Sequence, residues 1–229
     1  MNCFVITLKS DKPRYNRVLK IQKTSNFDIK IMDAIDGKTI SKNFLNFLLQ
    51  NNAINKQIIK KFTKGTIGCY LSHMKTWTTI RNNYFNHTII LEDDFKLVNN
   101  FQEKINLVIE ELPEDYDICY FFYHPYSKKY YKNFNKFEIY GKKYIRRQVP
   151  TWGLVGYMIS LKGAKKLIDK CHTMSGHIDN QISRLILLGQ FNAFHSKEQL
   201  VDTVGSCLYK NPNDIIFDSN TNKGGFFKF

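Results

Sequence analysis

A short apolar segment that ends in three consecutive acids constrains this chain more than any other feature. Residues 88–91 read Thr-Ile-Ile-Leu, and Glu92, Asp93 and Asp94 follow directly. A β-branched apolar run of this length predicts a buried strand in a parallel sheet. Ligands of open α/β sheets bind beyond the carboxyl ends of such strands. Because three carboxylates at that place repel one another, the sequence predicts a compensating positive charge, with a divalent cation as the natural candidate.

The same three acids also fit a simpler interpretation. An acidic turn that caps the next helix needs no ligand, and the two interpretations have equal weight when the triplet is considered alone. The surrounding chain therefore has to decide between them.

Apolar strand-like segments alternate with amphipathic segments along most of the chain. Residues 3–8 predict a first strand, and Asp11 followed by Pro13 predicts a helix start. This alternation predicts an α/β fold, with a mostly parallel central sheet flanked by helices. We expect one domain over residues 1–229, with a basic and aromatic insertion at 128–148 and an irregular tail at 210–229. The polar, basic residues 51–61 predict a mobile connection.

Residues 63–80 predict the most regular helix of the chain. Apolar residues recur there every three or four positions, and Thr63 is a plausible N-cap. Ser72 and His73 fall beside the apolar stripe. A packed, hydrogen-bonded histidine and a functional histidine are equally good interpretations of His73.

Composition narrows the choice of partners and compartment. The formal net charge is +14, but the lysines are scattered, and a general excess of Asn, Lys and Ile is also what an AT-rich gene produces. We expect no specific nucleic acid, although the basic residues suit contact with an anionic membrane surface. Five widely spaced cysteines without a CxxC pair favour reduced thiols over a disulfide scaffold or a zinc site. The sequence shows no signal peptide and no apolar run of membrane-spanning length, so we expect a cytoplasmic location, bacterial or in a virus-infected host.

Four segments, in order, resemble the motifs of glycosyltransferase family 25. They are Val5-Ile6-Thr7-Leu8 with Arg14, Ile35-Asp36-Gly37-Lys38, the segment Thr63–His73 that contains Ile-Gly-Cys-Tyr-Leu-Ser-His, and Leu91-Glu92-Asp93-Asp94. Gly156–Ser160 with Gly163-Ala164, and Ile178-Asp179, fit less closely. Thr7, Lys9 and Thr66 replace the Asn, Asp and Glu that are usual in the family.

This resemblance implies an enzyme with a single GT-A-type, Rossmann-like domain. It implies Mn²⁺ or Mg²⁺ as the metal and a UDP-sugar as the donor. The reaction would move a hexose, galactose or glucose, to a glycan or protein hydroxyl, with inversion at the anomeric carbon.

The resemblance also implies roles for particular residues. The candidate metal ligands are Glu92, Asp93, Asp94 and His195. Because strand side chains alternate, we expect Glu92 and Asp94 to face the same way, with Asp93 turned toward the ribose or inward. The candidate catalytic residues are Asp179, as the base that activates the acceptor, and His73, as a supporting or acceptor-side group. The candidate nucleotide-binding residues are Thr7, Leu8, Arg14, Asp36, Gly37, Ser72 and Asp93.

A second hypothesis belongs to a different class of function. The net charge and the aromatic, basic residues 128–143 also fit a catalytically silent module that binds glycans or nucleic acids on the same fold. It predicts salt-sensitive polyanion binding and no metal-dependent affinity for UDP.

Overall fold

A computed structural model of the chain describes residues 1–123, 138–147 and 152–204. Residues 128–137 and 148 of the predicted insertion therefore lie outside the described residues, and the predicted tail at 210–229 lies entirely outside them. The described strands are β1 (Asn2–Thr7), β2 (Ile29–Asp33), β3 (Thr88–Glu92), β4 (Phe95–Leu97), β5 (Ile118–Tyr120), β6 (Ile145–Arg147), β7 (Gly156–Ile159), β8 (Ala193–Ser196) and β9 (Val201–Thr203). The described helices are α1 (Lys12–Thr24), α2 (Lys42–Gln50), α3 (Lys56–Lys61), α4 (Lys64–Asn82), α5 (Phe101–Glu111), α6 (Leu161–Lys170) and α7 (Ile178–Leu187), with a short 3-10 helix at Gly37–Thr39.

Seven strands form the central sheet in the order β2-β1-β3-β7-β5-β8-β6. Strands β1, β2, β3, β5 and β8 point in one direction, while β7 and β6 run against their neighbours. The predicted α/β fold with a mostly parallel sheet and flanking helices is confirmed. The antiparallel insertion of β7 beside β3 was not predicted, because an apolar run such as Gly156–Ile159 does not reveal its direction. Strands β4 and β9 form a separate antiparallel pair.

Side-chain alternation along the strands divides the core into two layers. Phe4 and Ile6 of β1 and Ile90 of β3 pack on the layer that contains α2, α3, α4, α6 and α7. Cys3 and Val5 of β1 pack on the opposite layer, with Val18 of α1 and the apolar face of α5. Since α1 and α4 lie on opposite faces of the sheet, acids that follow β3 can be reached from both sides.

Local sequence explains where most helices begin. Asp11, Ser41, Asn55, Thr63 and Ser160 each accept a backbone N–H at the first turn of α1, α2, α3, α4 and α6, as N-caps do. Residues 56–61 of the predicted mobile connection form helix α3, which was not predicted. Ile58 and Ile59 are buried in the core, and their burial stabilises this short helix. The surrounding polar residues give no helical pattern in the sequence.

Across residues 1–123, 138–147 and 152–204, no helix combines the length and the apolarity that a bilayer span requires.

Candidate functional site

A cavity of about 540 Å³ opens at the carboxyl end of β3, between α1 and α4. The predicted nucleotide-binding residues all line it, together with His73 and the three consecutive acids. Its lining includes Thr7, Leu8, Arg14, Asp36, Gly37, Cys69, Ser72, His73, Glu92, Asp93 and Asp94. The tertiary structure thus brings together residues from four separate segments of the sequence, although their roles as ligands stay predictions.

The first two acids diverge to opposite faces of the sheet. Glu92 continues the Ile90 face and approaches α4, where its Oε1 lies 3.2 Å from His73 Nε2. Asp93 turns the other way, and its Oδ2 accepts a hydrogen bond of 3.0 Å from Thr7 Oγ1 on neighbouring β1. Strand alternation therefore explains why adjacent carboxylates have different partners.

Helix α1 supplies the positive charge on the Asp93 side. Arg14 is buried and donates from Nη1 to Asp93 Oδ1 at 2.5 Å, with Asp94 Oδ2 3.9 Å from the same nitrogen. Arg17 donates to the backbone carbonyls of Asp93 and Phe95. The compensating charge that the acidic triplet required is therefore provided in part by arginine.

Asp94 keeps one carboxylate oxygen that is buried without a hydrogen-bond partner among the described residues. This oxygen is Oδ1, and the Asp94 side chain is only 13% exposed. Burial raises the pKa of Asp94 to about 6, and repulsion from Glu92 adds to the rise while Arg14 opposes it. An orphaned carboxylate oxygen beside a second carboxylate fits a divalent cation, which would supply the missing charge and ligand contact.

Helix α4 presents two further polar side chains to the cavity, spaced one turn apart. Cys69 Sγ, His73 Nε2 and a Glu92 oxygen all lie within 4.8 Å of one another. Burial raises the pKa of the Cys69 thiol well above its usual value, and the charges of Glu92 and Asp179 add to this. By atom type, these three side chains are a second candidate set of metal ligands, with a softer character than the carboxylates.

The segment 34–37 closes the cavity by packing directly on α4. A Cβ on Gly37 would lie 1.9 Å from the Lys64 carbonyl oxygen, and one on Gly68 would lie 2.5 Å from the Ile35 carbonyl oxygen. Ser72 Oγ accepts from Ile35 N at 2.8 Å and donates to Gly68 O at 2.7 Å. Gly37 and Ser72 therefore have a packing role that is sufficient to explain these motif residues.

Asp36 is held at the same rim of the cavity. Its Oδ2 accepts from Ser10 Oγ at 2.9 Å, and Oδ1 accepts from Lys38 N at 2.9 Å. These bonds join the loop after β1 to the loop after β2.

Two predicted residues do not line this cavity. Asp179, at the start of α7, accepts backbone N–H groups from Gly153 and Asn180, yet it is close enough to Cys69 to influence its pKa. His195 lies on β8, which β7 and β5 separate from β3.

His195 is engaged elsewhere in the fold. Its Nε2 accepts from Arg146 Nε at 2.7 Å, its Nδ1 lies 3.0 Å from Ser196 O, and burial lowers its pKa to about 3. Both ring nitrogens thus have partners, and the structure does not place His195 with the other predicted ligands.

Comparison with known proteins identifies the family. A family model described as "Glycosyltransferase family 25 (LPS biosynthesis protein)" matches residues 1–182, which is most of the chain. The chain belongs to glycosyltransferase family 25. The resemblance in the sequence motifs is therefore confirmed.

The relatives of this family 25 chain include proteins named as galactosyltransferases and proteins named as inactive. Human procollagen galactosyltransferase 2 is 27% identical over 177 residues, which cover 72% of this chain and 27% of that protein. A bovine protein named "Probable inactive glycosyltransferase 25 family member 3" is 23% identical over 171 residues, or 72% of this chain and 28% of its own length. The chain thus spans just over a quarter of these curated relatives.

Among solved structures, apo mouse xyloside xylosyltransferase 1 aligns with 83% of this chain and 70% of its own at 12% identity. The TM-score is 0.37, a likeness too distant to define a common fold.

Sequence reasoning missed three residues around the site. The sequence contained a signal for Cys69, because it precedes His73 by four positions and so lies on the same face of the predicted helix. Trp77 and Tyr157, which lie behind His73, resemble ordinary core residues in the sequence, and only the tertiary structure shows their polar atoms meeting.

Proposed function

We propose that this family 25 chain carries the site of a metal-dependent glycosyltransferase that uses a UDP-sugar. In this proposal it moves a hexose, galactose or glucose, to a glycan or protein hydroxyl with inversion. The observation that carries the proposal is the orphaned, buried Oδ1 of Asp94 beside Glu92, in a cavity of nucleotide-compatible size.

The metal would be held by Glu92 and Asp94, and we expect Mn²⁺ or Mg²⁺ because the ligands are carboxylate oxygens. When bound, such an ion would neutralise the charge that develops on a diphosphate leaving group. Asp93, paired with Arg14, would orient this acidic strand end and would not be a ligand.

The remaining lining residues would hold the nucleotide and exclude water. The loop after β1, with Thr7 and Leu8, and the loop around Asp36 and Gly37 form adjacent walls of the cavity. Arg14 lies at the same wall, where it would also limit repulsion between the acids and the incoming phosphates.

Asp179 would take the proton from the acceptor hydroxyl as the sugar is transferred. Its two backbone N–H partners fix the carboxylate at the start of α7. This proposal places the acceptor hydroxyl at the start of α7, beside the Gly153 backbone N–H that holds Asp179.

The direct test is turnover of UDP-galactose and UDP-glucose with Mn²⁺. Purified chain should hydrolyse one of these donors slowly, or transfer its sugar, and excess chelator should stop the reaction. Asp94→Ala should remove the activity, whereas Asp169→Asn, which changes an exposed carboxylate, should retain it. Full activity in Asp94→Ala or in chelator would contradict the metal role.

The silent-module hypothesis keeps one specific observation in its favour, the bovine relative that is named as probably inactive. It predicts binding of polyanions such as heparin, weakened by salt, and no thermal shift with UDP plus Mn²⁺. The transferase proposal predicts a raised melting temperature with UDP plus Mn²⁺, because a ligand of the folded state stabilises that state.

A reducing compartment, such as the cytoplasm, suits the thiols. Cys3, Cys69, Cys119 and Cys171 are unpaired.

A further inference from the structure

Four side chains form a line of hydrogen bonds that runs from the core to the cavity. Trp77 Nε1 donates to Tyr157 OH at 2.9 Å, and that hydroxyl lies 3.0 Å from His73 Nδ1. His73 Nε2 lies 3.2 Å from Glu92 Oε1. Trp77, Tyr157 and His73 are essentially inaccessible to solvent, whereas the Glu92 side chain is 31% exposed. The line therefore starts in a dry interior and ends at a carboxylate of the candidate site.

The chemistry of the four groups gives this line one direction. An indole N–H can only donate, so the Tyr157 oxygen accepts from Trp77. The described residues offer the Tyr157 hydroxyl proton one nitrogen or oxygen acceptor, His73 Nδ1. If Nδ1 accepts, the neutral ring carries its proton on Nε2, and that N–H donates to Glu92. All four groups are satisfied only in this arrangement.

We propose that Tyr157 and His73 are positioning residues that hold Glu92 through one of its oxygens without neutralising its charge. Among the described residues, no hydrogen bond to the second Glu92 oxygen is seen, so that oxygen stays available to a ligand in the cavity. The chain of neutral donors locks the histidine tautomer and thereby the orientation of the carboxylate. The benefit to metal binding rests on the proposed function, whereas the tautomer does not.

Direct coordination of a soft metal by Cys69, His73 and Glu92 is the competing arrangement. It needs a bare Nε2, and hence a proton on Nδ1 that points at the Tyr157 oxygen. That oxygen already accepts from Trp77, and the tyrosine proton would then lose its acceptor. Leaving a buried donor unsatisfied is unfavourable, so the geometry favours a histidine that donates.

The first experiment reads the tautomer directly. In metal-free, uniformly ¹⁵N-labelled protein at pH 7.5, long-range ¹H–¹⁵N correlation spectra should show His73 protonated at Nε2 and bare at Nδ1. The sequence has six histidines, and His73→Gln identifies the signal by removing it. A ring protonated at Nδ1, or at both nitrogens, would overturn the proposal whether or not the chain is an enzyme.

The second experiment measures Mn²⁺ affinity by titration. We expect His73→Ala and Tyr157→Phe to weaken Mn²⁺ binding about 10–100-fold, the usual cost of losing a partner that orients a metal ligand. His73→Gln should recover most of the loss in His73→Ala, because the Gln amide can donate from about the position of Nε2. Unchanged Mn²⁺ affinity in both His73→Ala and Tyr157→Phe would refute the positioning role.

Tyr70→Phe is the matched control. Tyr70 lies on the same helix as His73, and its buried hydroxyl bonds to Cys171 O at 2.6 Å and to Gln181. It should lose stability as Tyr157→Phe does, but keep Mn²⁺ affinity. If the wild-type chain binds no Mn²⁺, the proposed function fails, and the tautomer spectrum still decides the direction of the chain.

A cobalt spectrum separates the competing arrangement. Co²⁺ bound through Cys69 would give an intense sulfur-to-cobalt charge-transfer band that Cys69→Ser removes, and such a band would overturn the proposal. We expect Co²⁺ to show only the weak bands of oxygen ligands.

Discussion

The two sides of the β3 strand end hold their carboxylates by different physics. On the α1 side, a buried guanidinium pairs with Asp93 and lies 3.9 Å from Asp94. On the α4 side, Glu92 receives a hydrogen bond from His73, the last member of a neutral chain that begins at Trp77. One side supplies opposite charge, and the other supplies orientation alone.

This difference separates a structural role from a binding role. Arg14 makes it possible to bury Asp93 but also occupies its Oδ1, while Thr7 donates to its Oδ2, so Asp93 has little left for a ligand. Glu92 keeps its charge and one oxygen, which are the properties a cation requires. Stability and cation binding at this strand end can thus depend on different residues, Asp93 and Glu92, which are neighbours in the sequence and point to opposite faces of the sheet.

The largest expected effect comes from removing the charge on the α1 side. Arg14→Met leaves Asp93 and Asp94 buried without their cation, and we expect a loss of about 3–5 kcal/mol in the free energy of unfolding at pH 7.5. The loss should shrink at pH 5, because protonation of the carboxyls removes their repulsion. Urea denaturation at both pH values measures it.

Lys9→Met is the control for Arg14→Met, since it breaks an ion pair with Asp33 that is exposed on both sides. It should leave stability unchanged. If Arg14→Met is also as stable as the wild type, the positive charge of Arg14 does not stabilise the buried carboxylates on the α1 side.

Next in size is the removal of charge on the α4 side. Glu92→Gln keeps an oxygen that can accept from His73, so the free energy of unfolding should change by less than about 1 kcal/mol. Calorimetric titration should show Mn²⁺ affinity reduced about 100-fold, equivalent to about 2.7 kcal/mol. Glu110→Gln, on the exposed face of α5, should bind Mn²⁺ as the wild type does. If Glu92→Gln binds Mn²⁺ as tightly as the wild type does, Glu92 is not a metal ligand and the ligands lie on the α1 side.

Asp94 lies between the two sides. Replacing it should raise the free energy of unfolding at neutral pH, whereas Arg14→Met lowers it. The folded pKa of Asp94 is raised from 3.8 to about 6, so its ionisation lowers the stability of the metal-free protein as pH rises through that window. Asp94→Asn should therefore be more stable than the wild type at pH 7.5, by about 3 kcal/mol, with no advantage below pH 4.

Thermal unfolding in chelator at a series of pH values measures the Asp94 effect. Asp169→Asn, at an exposed carboxylate, should show no such pH dependence. An Asp94→Asn protein that is less stable at pH 7.5 would mean that Arg14 compensates Asp94 fully.

The smallest effect concerns the attachment of segment 34–37 to α4. Ser72→Ala leaves Ile35 N without its acceptor and should cost about 1 kcal/mol in the free energy of unfolding. KM for the sugar donor should rise while Mn²⁺ affinity stays unchanged, because the segment lines the cavity away from Glu92. Thr78→Ala, which removes only a bond to Met74 O within the same helix, is the control. A change in Mn²⁺ affinity in Ser72→Ala would link the two parts of the cavity.

Sequence reasoning succeeded where the chemistry is local. The strand before Glu92, the N-cap Thr63 and the helix that carries His73 follow from short-range patterns, and the structure has all of them. It failed where partners are distant. His195 was a candidate metal ligand, but it lies on β8, which two strands, β7 and β5, separate from β3 in the sheet.

Arg14 is a second residue whose distant partner could not be predicted from the sequence. The family resemblance made Arg14 a candidate nucleotide-binding residue, and the helix that carries it was predicted correctly. The contact of Arg14 with Asp93 joins residues 79 positions apart, and no periodicity reports on such a pair.

By itself, the sequence determined that three acids follow a buried strand, and that a long amphipathic helix brings a cysteine and a histidine to one face. Strand alternation and helical spacing are properties of the backbone, so they can be read from residue order. Only the tertiary structure decided which acid meets arginine and which meets histidine, because sheet order and layer assignment place α1 and α4 on opposite faces. The separation of charge compensation from carboxylate orientation exists only after those layers have packed.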